Sequence, residues 1–345
     1  MKAVQYRTIG GVPEVVTIDD PTPGPRQVLL KVTAAGLCHS DIFVMSLPEE
    51  AYIYGLPLTL GHEGVGTIID AGAAVKDQVT MGESVMVYGP WGCGRCRQCA
   101  EGYENHCENA ARLGIAPPGL GAPGSAAEYM LVDDPRHCIP IGDLDPTIAA
   151  PISDAGLTPY HAIKRSAGKL GGNSFAVVIG VGGLGHIGIQ LIKHMTGARV
   201  IALDTLDSHL ELAKSVGADF TVKSDADSVA AVKEITKGVG AEVVFDFVGI
   251  QPTLDAALQM TKPRGDLDIV GVGDGVAGVG LFTLPYEVNV STTYWGTLFD
   301  AYELVELAQR GVINVHTETY TLDQAPEAYE RLHHGQVHGR AVLVP

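Results

Sequence analysis

Four cysteines lie close together in the first third of the chain, at Cys93, Cys96, Cys99 and Cys107. Four thiolates at this spacing in an intracellular chain are typical of metal ligation rather than of a disulfide framework. Four sulfur ligands without a histidine suit a closed tetrahedral zinc site, which leaves no position for a substrate. An iron–sulfur cluster is the alternative, but such motifs usually carry proline beside the last cysteine, and here Glu108 follows Cys107. The pattern therefore predicts a structural zinc.

A glycine-rich turn near the middle of the chain comprises Gly180, Gly182, Gly183, Leu184 and Gly185. It follows an apolar strand candidate at residues 175–179 and precedes apolar residues at helical spacing and then a second strand. The second strand ends at Asp204, 19 residues beyond Gly185. This order of strand, turn, helix, strand and acidic residue predicts a dinucleotide-binding site; a structural turn that binds nothing is the alternative.

The glycines of this turn have separate predicted roles. Gly180 allows the tight turn, Gly182 lets a pyrophosphate approach the backbone, and Gly185 lets helix and strand pack closely. The helix N-terminus adds amide donors and a positive dipole for the phosphates. Asp204 is expected to accept hydrogen bonds from ribose hydroxyls and to repel a 2′-phosphate, which favours NAD over NADP. A nearby arginine or lysine can override one aspartate.

Three further loops contain residues of the type that bind metals. Cys38, His39, Ser40 and Asp41 follow Gly36, His62 and Glu63 lie between Gly61 and Gly64, and Asp154 begins the segment that ends at Thr158. Each loop is a weak signal by itself, because an isolated histidine or cysteine is more often a core residue than a ligand. Spacing alone does not bring the three loops together.

The elements that carry these loops change character along the chain. The first 150 residues contain short apolar runs broken by glycine and proline, such as residues 28–33, 65–69 and 84–88, with little helical periodicity before Thr147. This half is expected to be rich in β-structure with long glycine-rich loops, and such loops often carry chemistry.

From about Gly171 onwards, strand and helix patterns alternate. The strand candidates are residues 175–179, 199–204, 220–222, 242–247 and 267–271, and the helix candidates between them are 208–216, 229–236 and 253–259. This rhythm predicts a parallel sheet with right-handed crossovers. The tail adds a helix near residues 302–309 and a final strand at 340–344.

Composition limits the classes of function. The chain has 345 residues, of which 46% are hydrophobic, and 40 acidic against 23 basic residues give a formal charge of −17. Such a charge repels phosphate backbones, so nucleic-acid binding is disfavoured. We find no run of 18 apolar residues and no secretory-signal pattern at the N-terminus, so we expect a cytoplasmic protein without a membrane span.

In their order along the chain, these motifs resemble those of the zinc-dependent medium-chain alcohol dehydrogenases, most closely the bacterial secondary-alcohol branch. The resemblance runs from end to end. It implies an α/β plus β fold: a GroES-like β-rich catalytic domain at residues 1–150 with a zinc lobe at about 90–110, a doubly wound Rossmann NAD-binding domain at 151–287, and a C-terminal return at 288–345 that completes the catalytic domain. It also implies a catalytic zinc in the cleft between the domains.

Carried over by position, the resemblance makes Cys38, His62 and Asp154 the three protein ligands of the catalytic zinc. Many relatives have cysteine as the third ligand, and aspartate is an alternative within the bacterial branch. Three ligands and a water form an open site. Glu63 is then an exchangeable fourth ligand or an outer partner, and Asp41 holds the far ring nitrogen of His62. Alternatively, Glu63 and Asp41 only satisfy local backbone donors.

The implied activity is reversible hydride transfer between NAD and secondary alcohols, and some primary or aryl alcohols, giving ketones or aldehydes. Zinc acts as a Lewis acid on the alcohol oxygen, and Ser40 takes the alcohol proton towards the nicotinamide ribose. Many relatives continue this relay through a histidine where this chain has Phe43. The later part of the relay therefore stays open.

The resemblance assigns the remaining site residues to cofactor and substrate. His39 approaches the phosphates, Thr158 the nicotinamide amide and Arg340 the pyrophosphate, although each is also explained as an ordinary surface or packing residue. The apolar substrate pocket is expected to include Phe43, Tyr54, Leu120, Tyr294 and Trp295. Core packing is the alternative for the last two.

Other functions remain as alternatives. A quinone reductase of the same fold lacks the Cys38, His62 and Asp154 set, and a cofactor-binding regulatory protein with a vestigial site would not need all of these ligands together with Ser40. Sugar-alcohol, aryl-alcohol or aldehyde oxidation differs in substrate only. We expect two zinc ions per chain, a small alcohol or ketone as substrate, and a homo-oligomer, with a tetramer favoured over a dimer.

Overall fold

Two units, each built on its own sheets, make up the chain in a computed structural model that describes residues 1–52 and 55–345. The first unit is Met1–Leu157 with Gly296–Pro345, and the second is Thr158–Trp295. The sequence placed the corresponding boundaries after residues 150 and 287. The expected combination of a β-rich unit with a parallel α/β unit is confirmed.

The strands, numbered in chain order, are β1 (Lys2–Tyr6), β2 (Glu14–Thr17), β3 (Val28–Leu37), β4 (Leu58–Thr59), β5 (Glu63–Ala71), β6 (Ser84–Val87), β7 (Tyr129–Val132), β8 (Cys138–Pro140), β9 (Phe175–Ile179), β10 (Arg199–Asp204), β11 (Phe220–Lys223), β12 (Ala241–Asp246), β13 (Thr261–Ile269), β14 (Asn289–Thr292), β15 (Thr317–Thr321) and β16 (Arg340–Val344). The α-helices are α1 (His39–Ser46), α2 (Arg97–Ala100), α3 (Ala110–Leu113), α4 (Pro146–Pro151), α5 (Leu157–Ser166), α6 (Gly185–Met195), α7 (Asp207–Ser215), α8 (Ser228–Ile235), α9 (Gln251–Met260), α10 (Leu298–Gln309) and α11 (Ala325–His333).

The first unit contains a three-stranded sheet, β2-β1-β4, and a larger sheet of seven strands in the order β15-β16-β3-β5-β6-β8, with β7 also paired to β3. β3 is the centre of the larger sheet, and its apolar side chains, among them Leu30 and Leu37, are buried in the core of the unit. Gly36 of β3 pairs with Glu63 of β5 and with Val342 of β16. The end of β3 and the beginnings of β5 and β16 therefore lie side by side at the same end of the sheet.

Helix α1 was not predicted, because the sequence shows little helical periodicity in this region. Its eight residues carry four consecutive apolar side chains, Ile42 to Met45, rather than a repeat of three or four. The helix begins instead through a local hydrogen-bonding arrangement at its N-terminus, in which Asp41 accepts from the backbone N–H of Cys38.

The second unit contains six parallel strands in the order β11-β10-β9-β12-β13-β14. β9 is buried along its whole length and lies between β10 and β12. The order of the strands reverses at β9, and a ligand site is typical outside the carboxyl ends of the strands at such a point. The predicted parallel sheet is confirmed, and β14 is a sixth strand that its short polar sequence did not indicate.

The helices of the described residues, 1–52 and 55–345, do not include one that is both long enough and apolar enough to cross a bilayer.

Candidate active site

Three side chains that can bind a metal come from separate parts of the chain and meet where β3 ends and β5 and β16 begin. Cys38 directly follows β3, His62 directly precedes β5, and Asp154 comes from the segment after α4. The pairing of Gly36 with Glu63 brings the first two segments together, which the sequence spacing could not show. Cys38 and His62 are buried, and Asp154 is almost fully buried.

The donor atoms of these three residues lie within 4.8 Å of one another. Cys38 Sγ is 3.5 Å from Asp154 Oδ2, and His62 Nε2 is 3.4 Å from the same oxygen. Zinc bonds of roughly 2.0–2.3 Å at tetrahedral angles place ligand atoms about 3.3–3.8 Å apart. Sulfur, imidazole and carboxylate ligands at these separations therefore fit a zinc ion with one position left open.

Asp154 reaches this cluster from a π-helical turn, Ile152–Gly156, between α4 and α5. Single π-helical turns of this kind occur frequently at functional sites. The turn is held from the adjacent strand, because the backbone N–H of Ala155 donates to Glu63 Oε1 at 3.0 Å. The widened turn presents the Asp154 carboxylate to Cys38 and His62.

Asp41 orients the ring of His62. Asp41 Oδ1 is 2.9 Å from His62 Nδ1, and Asp41 Oδ2 accepts from the backbone N–H of Cys38 at 3.0 Å. Both residues are fully buried. The carboxylate thus holds the far ring nitrogen, which leaves Nε2 directed at the donor cluster.

Tyr329 adds a partner that the sequence analysis missed. Its buried hydroxyl lies 3.4 Å from Asp41 Oδ2, and burial together with the Asp41 charge raises the pKa of Tyr329 well above its usual value. The hydroxyl therefore stays protonated and donates to Asp41. The available signal was the helical spacing of the buried residues Ala325, Ala328, Tyr329 and Leu332, which indicates a helix that buries a tyrosine.

Glu63 and Arg340 form a buried ion pair beside the cluster. Arg340 Nη2 donates to Glu63 Oε1 at 2.6 Å and Nε donates to Oε2 at 2.9 Å, while Nη2 is also 3.4 Å from Asp154 Oδ2. Burial raises the pKa of Glu63 to about 7 against the opposing charge of Arg340. In this arrangement the guanidinium, expected at a pyrophosphate, is engaged with both carboxylates, and Glu63 has partners beyond local backbone donors.

The four-cysteine segment forms a second cluster of donor atoms within 4.8 Å of one another. Cys96 Sγ lies 3.3 Å from Cys99 Sγ and 3.9 Å from Cys107 Sγ, and all four thiols are free rather than disulfide-bonded. A hydrogen bond from the Arg95 backbone lowers the pKa of Cys93 to about 6, whereas burial raises that of Cys99 to about 12. Four sulfur donors at these separations suit a closed zinc site.

The glycine-rich turn of the second unit has the backbone that its predicted roles require. Gly180 has φ +87°, and a Cβ on Gly185 would lie 1.9 Å from the carbonyl oxygen of Gly180. A Cβ on Gly182 would meet no atom within 4 Å, so space is open where a phosphate would approach. Asp204 Oδ2 accepts from the Val181 N–H at 2.8 Å, which places the acidic residue against the turn.

The remaining predicted site residues occupy varied positions. Ser40 Oγ lies 3.6 Å from Cys38 Sγ, and Thr158 is buried. In the first unit His39 and Phe43 are exposed and Leu120 is half-buried, and in the second Tyr294 is exposed and Trp295 is buried. Tyr54 lies outside the described residues.

Comparison with known proteins matches two different family models to the two halves of the chain. The family model "Alcohol dehydrogenase GroES-like domain" matches residues 24–143, and the model "Zinc-binding dehydrogenase" matches residues 183–310. An NAD-dependent alcohol dehydrogenase of Sulfurisphaera tokodaii is 34% identical, with 100% of each chain covered. The D-arabinose 1-dehydrogenase (NADP(+)) of Saccharolobus solfataricus is 32% identical, covering 96% of this chain and 95% of the relative.

Solved structures of an alcohol dehydrogenase and of an acetophenone reductase are also similar to this chain. The alcohol dehydrogenase of Aeropyrum pernix matches with a TM-score of 0.93 and 35% identity over 100% of both chains. The acetophenone reductase of Geotrichum candidum matches with a TM-score of 0.85 and 31% identity, covering 100% of this chain and 97% of that one. A GroES-like unit, a parallel α/β unit and a buried cysteine–histidine–carboxylate cluster define a zinc-type dehydrogenase. The chain belongs to the zinc-binding medium-chain alcohol dehydrogenase family and is an oxidoreductase.

Proposed function

We propose that this protein is an NAD-dependent zinc alcohol dehydrogenase that interconverts secondary alcohols and ketones, and also some primary or aryl alcohols. The observation that carries the proposal is the buried cluster of Cys38, His62 and Asp154, whose donor atoms suit an open metal site. In this proposal residues 1–150 and 288–345 form the catalytic domain, and residues 151–287 bind the dinucleotide.

The proposed roles of the cluster residues follow from their contacts. Cys38, His62 and Asp154 hold a zinc ion, which when bound supplies Lewis acidity to an alcohol or carbonyl oxygen. Asp41 fixes the ring of His62, and Arg340 fixes the Asp154 carboxylate together with Glu63. Ser40, beside Cys38, takes up and returns the proton of the substrate hydroxyl. A second zinc ion, bound by the four cysteines, stabilises their segment.

The glycine-rich turn, the start of α6 and Asp204 form the proposed NAD site. The open space at Gly182 and the N-terminus of α6 suit a pyrophosphate. Hydrogen bonds from His209 and Val181 outweigh the effect of burial and keep the pKa of Asp204 below its usual value, so the carboxylate is charged near neutral pH. His39, Thr158 and Arg340 remain proposed contacts of the cofactor.

The names of two relatives and the residues predicted to line the pocket bear on the choice of substrate. The acetophenone reductase relative acts on an aryl ketone, as its name states, whereas the D-arabinose dehydrogenase relative oxidises a sugar. We favour the first, because the residues proposed to line the pocket are mostly apolar: Phe43, Tyr54, Leu120, Tyr294 and Trp295. Sugar oxidation remains the second candidate.

The first test is a substrate and coenzyme panel. We expect NADH-linked reduction of medium-sized and aryl ketones at rates at least tenfold above those with NADPH, loss of activity after chelation, and two zinc ions per chain by elemental analysis. D-Arabinose oxidation as the fastest reaction would favour the second candidate. Activity that survives removal of all zinc would contradict the proposed mechanism.

An oligomeric assembly is also part of the proposal, and an exposed apolar segment supports it. Between β13 and the edge strand β14, Val276, Val279, Leu281 and Phe282 are between 70 and 87% exposed. Apolar patches of this kind on a single chain often mark an interface. We propose that a second copy covers this segment in a dimer or tetramer.

The free thiols of both clusters suit the reducing cytoplasm, which is the proposed location.

Substitution Phe282→Glu tests this surface. A charge placed on Phe282, which is 87% exposed, should shift the protein to a smaller assembly at micromolar concentration, as measured by light scattering with size-exclusion chromatography. Val12→Glu is the matched control, since Val12 is 71% exposed in the first unit. An unchanged mass for Phe282→Glu, or an equal loss of mass in both variants, would show that the segment is not the interface.

A further inference from the structure

A group of three charged side chains, two of them buried, lies beside the four-cysteine lobe, which we define as residues 92–108. Glu104 of the lobe contacts Arg136 and His137, and we name these three residues the lobe clamp. Arg136 Nη2 donates to Glu104 Oε1 at 2.7 Å, and Arg136 Nε is 3.1 Å from the same oxygen. His137 Nε2 lies 3.2 Å from Glu104 Oε2. Glu104 and His137 are buried, so these are not ordinary surface ion pairs.

Arg136 joins the two ends of the lobe. Its Nη2 atom also donates to the carbonyl oxygen of Gly92 at 2.7 Å. Gly92 directly precedes Cys93, and Glu104 comes three residues before Cys107. A single guanidinium therefore fixes the separation between the first and the last cysteine of the cluster. The planar fork of arginine suits this double contact, which a lysine could not reproduce.

His137 is the second partner of Glu104 in the lobe clamp. Its Nδ1 atom lies 2.6 Å from Asp133 Oδ1, so each ring nitrogen faces a carboxylate. The ring stacks on Trp91, with centroids 6.1 Å apart and planes at 8°. Burial alone would lower the pKa of His137, but Asp133 and Glu104 outweigh it and raise the pKa. Both carboxylates therefore favour the protonated form of the ring, which contacts Glu104 on one side and stacks on Trp91, the residue before Gly92.

We propose that the lobe clamp holds both ends of the lobe in the ligand-binding arrangement and thereby slows the loss of zinc from the four cysteines. This inference rests on the structural zinc of the proposed function. Glu104, Arg136 and His137 are positioning residues, because none of them supplies a ligand atom to the cluster. Their contacts join protein groups and involve none of the four sulfur atoms. Breaking one of these contacts removes part of the charge compensation of the buried Glu104 and His137 side chains, which is costly.

Zinc release from the holoenzyme tests the clamp. A colorimetric chelator reports the release rate for Glu104→Gln and Arg136→Lys, each also made in a Cys38→Ser background so that the metal comes from the lobe alone. We expect release about tenfold faster than in the parent protein, in line with outer partners of metal sites. The matched controls are Glu101→Gln and Arg97→Lys, whose exposed ion pair of 2.8 Å lies within the same lobe. Their rates should stay within about twofold of the parent.

The outcomes separate the two proposals. If the parent protein holds no zinc on the four cysteines, the structural zinc and the clamp are both wrong. If it holds zinc and the clamp variants release it no faster than the controls, the clamp alone is wrong.

Hydrogen exchange of the zinc-stripped wild-type protein gives a second measurement that needs no variant. The clamp predicts that backbone amides near Gly92 and Glu104 stay protected, whereas those of residues 95–101 exchange rapidly. Equal, rapid exchange throughout the lobe would overturn the proposal.

Discussion

Replacement of Cys38 by serine is expected to lower kcat/KM for alcohol oxidation at least about a thousandfold and to reduce the zinc content from two ions to one. The thiolate is one of three donors in a buried cluster, and a serine hydroxyl is a poor zinc ligand at neutral pH. A thousandfold loss corresponds to about 4 kcal/mol of transition-state stabilisation, which is within the range expected for a Lewis-acidic metal. Steady-state kinetics and elemental analysis of the same preparation measure both effects.

Cys138→Ser is the matched control for this substitution. Cys138 is also a buried free cysteine of the first unit, but it belongs to neither donor cluster. Its replacement should leave both zinc ions in place and change kcat/KM by less than about tenfold. If Cys38→Ser keeps two zinc ions, or if both serine variants lose activity alike, the catalytic role of the Cys38 cluster is wrong.

Replacement of Asp204 by asparagine is expected to reduce the preference for NAD over NADP by about 10- to 100-fold. The carboxylate is charged near neutral pH, and repulsion of a phosphate at about 4 Å is worth between about 1 and 4 kcal/mol, depending on solvent screening. The carboxylate accepts from the Val181 N–H through Oδ2 and from the Leu206 N–H through Oδ1, and asparagine keeps one of these two acceptors. Any local change in the turn acts on both coenzymes, so the ratio of their kcat/KM values reports the lost charge.

Asp207→Asn controls for a general change in charge. Asp207 lies three residues further along, is exposed, and pairs with Lys223 at 2.6 Å. Its replacement should leave the coenzyme ratio within about threefold of the parent protein. An unchanged ratio for Asp204→Asn, or the same shift in both variants, would remove the role proposed for Asp204.

The second unit was largely predictable because its signals are local. The strand Phe175–Ile179, the glycine-rich turn and the strand Arg199–Asp204 follow one another within 30 residues, and the structure has both strands at the predicted bounds. Apolar runs, glycines and helical spacing are enough to identify such a segment. The edge strand β14 was missed because its polar residues, Asn289, Ser291 and Thr292, give no apolar signal.

The candidate site was predictable only through the family resemblance. Cys38, His62 and Asp154 are far apart in the chain, and the β3–β5 register that joins the first two is a property of the folded sheet. Tyr329 was not predicted as a partner of Asp41, because tertiary packing brings the two residues together and their positions in the chain do not indicate it. The same holds for the contact of Arg340 with Glu63, since nothing in either local sequence indicates the other residue.

The ion pair between Arg340 and Glu63 also bears on how the protein acquires its metal. Arg340 pairs with Glu63 and also lies 3.4 Å from Asp154, so one guanidinium is shared between two buried carboxylates, and a divalent cation can supply the remaining positive charge. Zinc binds cysteine as the thiolate, so metal binding at this cluster competes with protons and is favoured as the pH rises. Because the unfolded chain lacks the assembled donors, the free energy of metal binding adds directly to the stability of the first unit. Maturation and folding of this unit are therefore one coupled equilibrium.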